Sequence, residues 1–346
     1  MAGWGKEEIV IEDGTKVSAQ MPVIVSASRS TDIPAFYADW FMERFKAGYV
    51  KWFNPFNGLP LYVGFRKTRA IVFWSKNPAP MLGHLDALDG ICPNYYFQFT
   101  MNDYDAERIE PRVPPIAERI ETFKRLSGMV GRDRVIWRFD PLILTDGLGV
   151  GDLMGKVERI GDQVAPFTSR IVFSFIDINA YKKVGGNLRS GGIEAREFAQ
   201  DEMCEVAQRI GELAKGWGIA AATCGEVADL ERYGVEHNRC IDDRLMIKCF
   251  SHDKALMDFL GYDVQGELFD TKTESERESD DAVRHAKLKD KGQRLACGCI
   301  MSKDIGEYNT CPHLCHYCYA NTNNAAAMAN WRRHLECPHA ATITGK

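Results

Sequence analysis

The chain has 346 residues, 45% hydrophobic and 26% charged, which fits a globular protein built as one large α/β barrel or two ordinary domains. A formal charge of −5 gives no electrostatic case for non-specific nucleic-acid binding, and no apolar run is long enough to span a bilayer. Eleven cysteines in a chain that starts Met1-Ala-Gly-Trp-Gly-Lys-Glu-Glu, without a signal-peptide pattern, point to a reducing cytoplasm and to metal or redox chemistry rather than disulfides.

After a short polar lead, residues 22–28 read as a buried strand ending in small polar residues, followed by a helix opened by Pro34. Further strands are expected at 49–53, 70–75, 95–100, 134–139, 170–176 and 219–223, with helices near 81–88, 116–126, 153–164 and 197–217. In the last of these helices Val206, Ile210, Leu213 and Trp217 recur at helical spacing. Near-continuous apolar strands alternating with helices imply a parallel sheet covered by helices. Six or seven such units in about 200 residues suit a (β/α) barrel of the TIM type, complete or partial. The expected organisation is a barrel over 1–260, an acidic linker or mobile loop over 261–291, and a cysteine-rich tail over 292–346. The acidity of the middle segment concentrates between Glu267 and Asp281.

That tail holds the densest chemistry. Cys311, Cys315 and Cys318 follow a C-x3-C-x2-C spacing, with Tyr317 directly before the last thiol. Three thiolates so close in sequence can hold three corners of a four-iron, four-sulfur cube and leave the fourth iron open to a chelating ligand. The competing reading is a structural zinc knot drawing on Cys297, Cys299, His313 and His316, although zinc more often uses paired C-x2-C hooks.

In parallel barrels ligands sit at the C-terminal ends of the strands. Those ends offer Ser26, Ser28 and Arg29; Asn54; Lys76 and Asn77; Gln98 and Thr100; Arg138 and Asp140; Asp177 and Asn179; and Glu226. Arg138 lies between Trp137 and Phe139 in an otherwise apolar strand, a costly position unless the charge is paired or used. A structural ion pair with Asp140 is the plain alternative. Arg29, Arg138, Asp140 and Glu226 are the candidate catalytic groups, since arginines there could bind a carboxylate or phosphate. Cys224, Cys240, Cys297 and Cys299 could together hold a second iron–sulfur cluster or a zinc; separately, each could be a small buried hydrophobe. Cys92, Cys204 and Cys249, in loop, helix and strand contexts, read as packing residues, and Cys337 is left unassigned.

The Cys311–Cys318 run resembles the cluster loop of radical S-adenosylmethionine (radical SAM) enzymes. That resemblance implies a SAM-chelating cluster, an aromatic Tyr317 near the adenine, and Tyr317 and Asn321 as cofactor-binding residues. Most of the chain is also similar to domain-of-unknown-function family 1848. The likeness is carried by Val25 through Pro34, Trp137-Arg-Phe-Asp-Pro141, Thr223-Cys224, Cys240-Ile-Asp242, Ala296-Cys-Gly-Cys299 and Asp304 through Asn321. The family pattern includes Cys224, Cys240, Cys297 and Cys299, which favours a second metal site. Unlike ordinary radical SAM enzymes, the triad closes the chain, an arrangement similar to a circular permutation. The expected function is a radical SAM-like enzyme that makes a 5′-deoxyadenosyl radical to act on a small-molecule or unidentified substrate. A reductase or flavodoxin-like protein would donate the electron. The alternative is a non-catalytic iron–sulfur or zinc protein, a sensor or electron carrier. Likeness to photoproduct-lyase-like members makes nucleic-acid repair conceivable, which the acidic charge disfavours.

Overall fold

The computed structural model describes residues 4–55, 57–264 and 273–346. Eight strands form the large sheet: Ile24–Ala27 (β1), Ala70–Ser75 (β2), Tyr95–Thr100 (β3), Val135–Leu142 (β4), Arg170–Phe175 (β5), Ala220–Thr223 (β6), Val235–His237 (β7) and Lys303–Asp304 (β8). Their spatial order is β7-β6-β5-β4-β3-β2-β1-β8, and every neighbouring pair is parallel. The protein is thus a mixed α/β fold built on one large parallel sheet.

The strands form where the sequence is apolar on both faces, as a sheet covered on both sides requires. Side chains alternate between the faces. Val25, Ile71, Phe73, Phe97, Trp137, Phe139 and Phe173 share one core with Phe123, Val157 and Ile210, from helices Ile116–Val130, Val150–Val164 and Gln200–Trp217. Their neighbours Ile24, Val72, Tyr96, Ile136 and Val172 share a second core with Met246, Phe250 and Leu256, from helices Asp243–Phe250 and Lys254–Leu260. The first set is called the outer face below, the second the inner face.

Among the described residues no ladder joins β7 to β8. The segments beside them meet in a single backbone bond, Ile300 N–H to Ile241 O at 3.1 Å. The Tyr96 hydroxyl reaches across the inner face to donate to Cys240 O at 2.7 Å.

Three expectations change. Tyr49–Phe53 is not in the large sheet; it belongs to a separate four-stranded sheet with Lys6–Val10, Lys16–Gln20 and Pro60–Gly64. Its link to Pro60–Gly64 is short, and so short a link joins strands only antiparallel, as these two are. Asn54 therefore lies in that hairpin, its N–H on Leu59 O at 3.0 Å, and not among the strand ends of the large sheet. Of the acidic stretch, 267–272 lie outside the described residues, but Glu274–Leu288 is a helix rather than a loop. Thr273 opens it with a capping box, its hydroxyl oxygen accepting from Glu276 N at 3.3 Å while the Glu276 carboxylate accepts from Thr273 N at 2.8 Å. Asp281 then ties the helix to Arg239 at 3.1 Å and Arg244 at 2.6 Å. Cys249, expected in a strand, lies in helix Asp243–Phe250. No helix among the described residues is long and apolar enough to cross a membrane.

Candidate functional site at the C-terminal ends of the strands

The cysteine-rich tail supplies the edge strand β8 and then crosses the ends of β1 to β4. Asp304 starts the crossing. One of its oxygens accepts from Ser26 Oγ at 2.7 Å and from Arg29 N at 2.8 Å, and the other from Gly306 N at 2.9 Å. Asp32, just past β1, is buried and gathers three partners: His313 Nε2 at 2.8 Å, Lys76 N at 2.7 Å and Ala35 N at 3.0 Å. One carboxylate thus fastens the cysteine loop to the ends of both β1 and β2.

A second fastening is built on Tyr317. Its hydroxyl oxygen accepts from Lys76 Nζ at 2.6 Å and Asn102 Nδ2 at 3.1 Å, and its hydrogen goes to Glu110. Glu110 also accepts from Lys76 Nζ at 2.8 Å and Asn102 Nδ2 at 3.0 Å. Burial works against the Glu110 charge, but Lys76, Arg119 and the Tyr317 hydroxyl together hold its carboxyl down at about 2. Asn102 Oδ1 accepts from Asp140 N at 2.8 Å, which carries the network to β4.

Cys311, Cys315 and Cys318 come together inside this frame. Asn321 closes the loop on itself, its side-chain amide donating to Cys311 O at 2.9 Å and its N–H to Cys318 Sγ at 3.3 Å. Burial pushes all three thiols up from the usual cysteine range, Cys311 being raised further by Asp32 and Cys318, and Cys315 by Glu110, Cys311 and Cys318. The Lys76 ammonium opposes the shift at Cys315 and Cys318. Sequence spacing made the triad visible; Glu110 and Asn102 gave no such signal, since both lie in an irregular loop after β3 with no motif around them.

The other predicted groups divide. Arg138 lies on the inner face and donates to Gln98 Oε1 at 3.0 Å, Cys240 Sγ at 3.1 Å and, through Nε, Asp140 at 3.1 Å. Burial disfavours the Asp140 charge, yet Arg138 and the Ser174 hydroxyl keep its carboxyl below the ordinary range. Arg29 lies over the Trp74 ring, 5.2 Å from its centre, with a buried Nη2 that meets no hydrogen-bond partner among the described residues. Glu226 does not join them: its carboxylate turns onto its own loop, accepting from Val227 N at 2.8 Å and Ala228 N at 3.3 Å. Asp177 likewise accepts from Ala180 N at 3.0 Å, and Asn179 donates to Glu197.

Cys224, Cys240, Cys297 and Cys299 are brought together beneath Arg138 and Arg29. The histidines of the zinc reading are engaged elsewhere, His313 by Asp32 and His316 by close packing on Gly191. Among the described residues no three His, Cys, Asp or Glu side chains surround a ready-made site for a single metal ion.

A solved structure of a putative alpha-L-fucosidase from Bacteroides thetaiotaomicron aligns with 57% of this chain and 75% of its own, at 12% identity and a TM-score of 0.25. No curated protein matches the sequence. The profile described as "Domain of unknown function (DUF1848)" matches residues 24–320, from β1 to just beyond the last cysteine of the triad, and the chain belongs to that family.

Proposed function

We propose that Cys311, Cys315 and Cys318 hold a four-iron, four-sulfur cluster with one open iron, and that the protein is a radical SAM-type enzyme. One observation carries this reading: three thiols of one loop, Cys315 buried and Cys311 and Cys318 half-buried, are pinned over the strand ends where Arg29, Arg138 and Asp140 lie. The all-parallel eight-strand order supports it as well, since closing its seventh strand onto its eighth would complete a (β/α) barrel.

The donor set suits such a cluster. Ligation needs thiolates, while burial alone keeps these thiols protonated; a metal centre supplies the missing positive charge. A single zinc with bonds of about 2.3 Å needs its sulfurs gathered round one point, whereas a cube takes each thiolate on a different iron and spreads them. When bound, a cluster of this kind supplies one electron to the sulfonium of SAM, which divides into methionine and a 5′-deoxyadenosyl radical.

The chain's own residues bind and orient. Lys76 places a cation beside Cys315 and Cys318. Tyr317 is held by its hydroxyl on Glu110 and Lys76, with the Lys76 ammonium 5.2 Å from its ring centre. Arg29 carries an unspent N–H there, suited to a carboxylate or phosphate of a bound ligand. A flavodoxin-like protein or a reductase would be the electron source. The test is anaerobic reconstitution followed by iron and sulfide counting and by incubation with SAM and dithionite. Wild type is expected to release 5′-deoxyadenosine, and replacing Cys311, Cys315 and Cys318 by alanine to remove one cluster's worth of iron and all of that product. A triple variant that keeps both would end the proposal. Iron without SAM cleavage in wild type would favour an electron carrier.

A further inference from the structure

A second set of thiols lies deeper, on the inner face of the sheet, and does not depend on the reading of the Cys311 loop. Cys224 follows the end of β6, Cys240 lies just beyond β7, and Cys297 and Cys299 precede β8. Because β6 and β7 are neighbours and the segment before β8 faces them, three stretches far apart in sequence converge. Cys224 and Cys240 have their sulfurs 3.4 Å apart. Cys299 lies near enough to Cys240 and Cys297 for both thiols to act on its own. The close approach is built into the backbone. Gly298, between the last two cysteines, presses on the Asn238–Cys240 segment so tightly that a Cβ there would lie 2.7 Å from Asn238 O.

A single buried cysteine packs as a small hydrophobe and needs no further account. Four converging from three stretches of the chain are surrounded here by donors aimed at sulfur. Arg138 Nη1 donates to Cys240 Sγ at 3.1 Å and Asn238 Nδ2 to the same sulfur at 3.2 Å. The backbone N–H of Ile241 donates to Cys299 Sγ at 3.4 Å. Neutral thiols are weak acceptors and gain little from this; thiolates gain a charge-assisted bond from each. Arg29, whose buried Nη2 is without a partner among the described residues, adds a second guanidinium close enough to act on Cys299 and Cys240. Two cations and two further N–H donors over four thiols form the setting of a thiolate-ligated metal, where hydrogen bonds to the sulfurs tune the centre.

We propose that Cys224, Cys240, Cys297 and Cys299 ligate a second iron–sulfur cluster, closed by four cysteines and therefore suited to holding an electron rather than a substrate. Cys224 and Cys240 form one close pair, with their sulfurs 3.4 Å apart, and Cys297 and Cys299, separated by one residue in the segment before β8, form the other. Two cysteine pairs are the ligand set of a two-iron, two-sulfur cluster, one pair to each iron, and one zinc per chain is the competing outcome of the test.

The experiment uses the full-length chain with Cys311, Cys315 and Cys318 replaced by alanine, so that failure of the first site cannot hide or mimic the second. After anaerobic purification and reconstitution with ferrous iron and sulfide, this variant is expected to retain one cluster's iron and sulfide and a visible charge-transfer band. Adding Cys240→Ala and Cys299→Ala should abolish both. Because those changes touch the core, native alkylation of the triple variant provides a readout independent of them. Cys224, Cys240, Cys297 and Cys299 should resist iodoacetamide when reconstituted and react after chelation, as counted by mass spectrometry. No retained iron, one zinc per chain in place of iron, or a Cys224–Cys240 disulfide in the anaerobic protein would each overturn the proposal.

Discussion

The two faces of the large sheet share the same strands and differ in what they bury. On the outer face Val25, Ile71, Phe73, Phe97, Trp137, Phe139 and Phe173 are fully buried apolar groups from end to end of each strand. On the inner face the apolar series Ile24, Val72, Tyr96, Ile136 and Val172 stops partway, and Ser26, Gln98, Arg138 and Ser174 continue it. Moving two residues along β4, from Ile136 to Arg138, exchanges a packing group for a buried cation. Desolvating such groups costs stability, so their concentration at one end of one face marks where the fold has given up packing for chemistry. The outer face supplies the stability that allows it.

This contrast can be broken by mutation. The largest effect is expected on the outer face. Phe97 is fully buried and stacks on Phe73 with ring centres 4.9 Å apart, so Phe97→Ala should cost about 3–5 kcal/mol in urea unfolding. Iron bound per folded chain should not change. Loss of iron from the folded fraction would show that the two faces are not separable.

On the inner face the expected cost is smaller and of another kind. Arg138→Ala strands Asp140, which breaks a buried ion pair. The Asp140 side chain is 25% exposed and keeps its bond from Ser174, so about 3 kcal/mol is expected, the low end for such pairs. Replacing both Arg138 and Asp140 by alanine should cost less than the sum of the single changes, since neither charge is then left alone. Strict additivity in that cycle would mean that the pair is not coupled.

How much of this was legible follows from the range of each interaction. β2, β3, β4 and β5 could be read because six or more consecutive residues suit a doubly buried strand. β7 and β8 could not, being three and two residues long, and 49–53 looked like its neighbours because an apolar run does not say which sheet will take it. The helix Glu274–Leu288 was masked by its charge, although Thr273 and Glu276 carry a capping signal. The triad's spacing is local and so was visible. Its fastening to Asp32 and Glu110 spans 281 and 207 residues and exists only once the sheet has set the order of its strands.

Two buried carboxylates near the tail sharpen the contrast further, because burial alone does not decide their charge. Glu110, with Lys76, Tyr317, Asn102 and Arg119 around it, is held at about 2. Glu307, just past β8 and 9% exposed, is pushed up to about 7 by burial, against weaker help from Lys346, from Thr344 Oγ1 at 3.5 Å and from the Phe53 N–H. A carboxyl raised on folding contributes stability that is fully present below its unfolded value and is lost as pH rises through the folded one. For Glu307 the loss should therefore fall between about pH 5 and 8 and amount to roughly 1–3 kcal/mol. Glu110 is depressed instead, so its contribution is lost only on acidification toward its folded value and is constant across this window. Glu307→Gln removes the titration and keeps the shape. The variant should match or trail wild type at pH 5 and gain on it steadily to pH 8 when melting temperatures are compared. Taking the difference between the two proteins cancels His316 and His334, whose folded values lie below the usual histidine range because of burial. A difference that stays flat from pH 5 to 8 would mean that Glu307 is ionised throughout, and that Lys346 holds it as firmly as Lys76 holds Glu110.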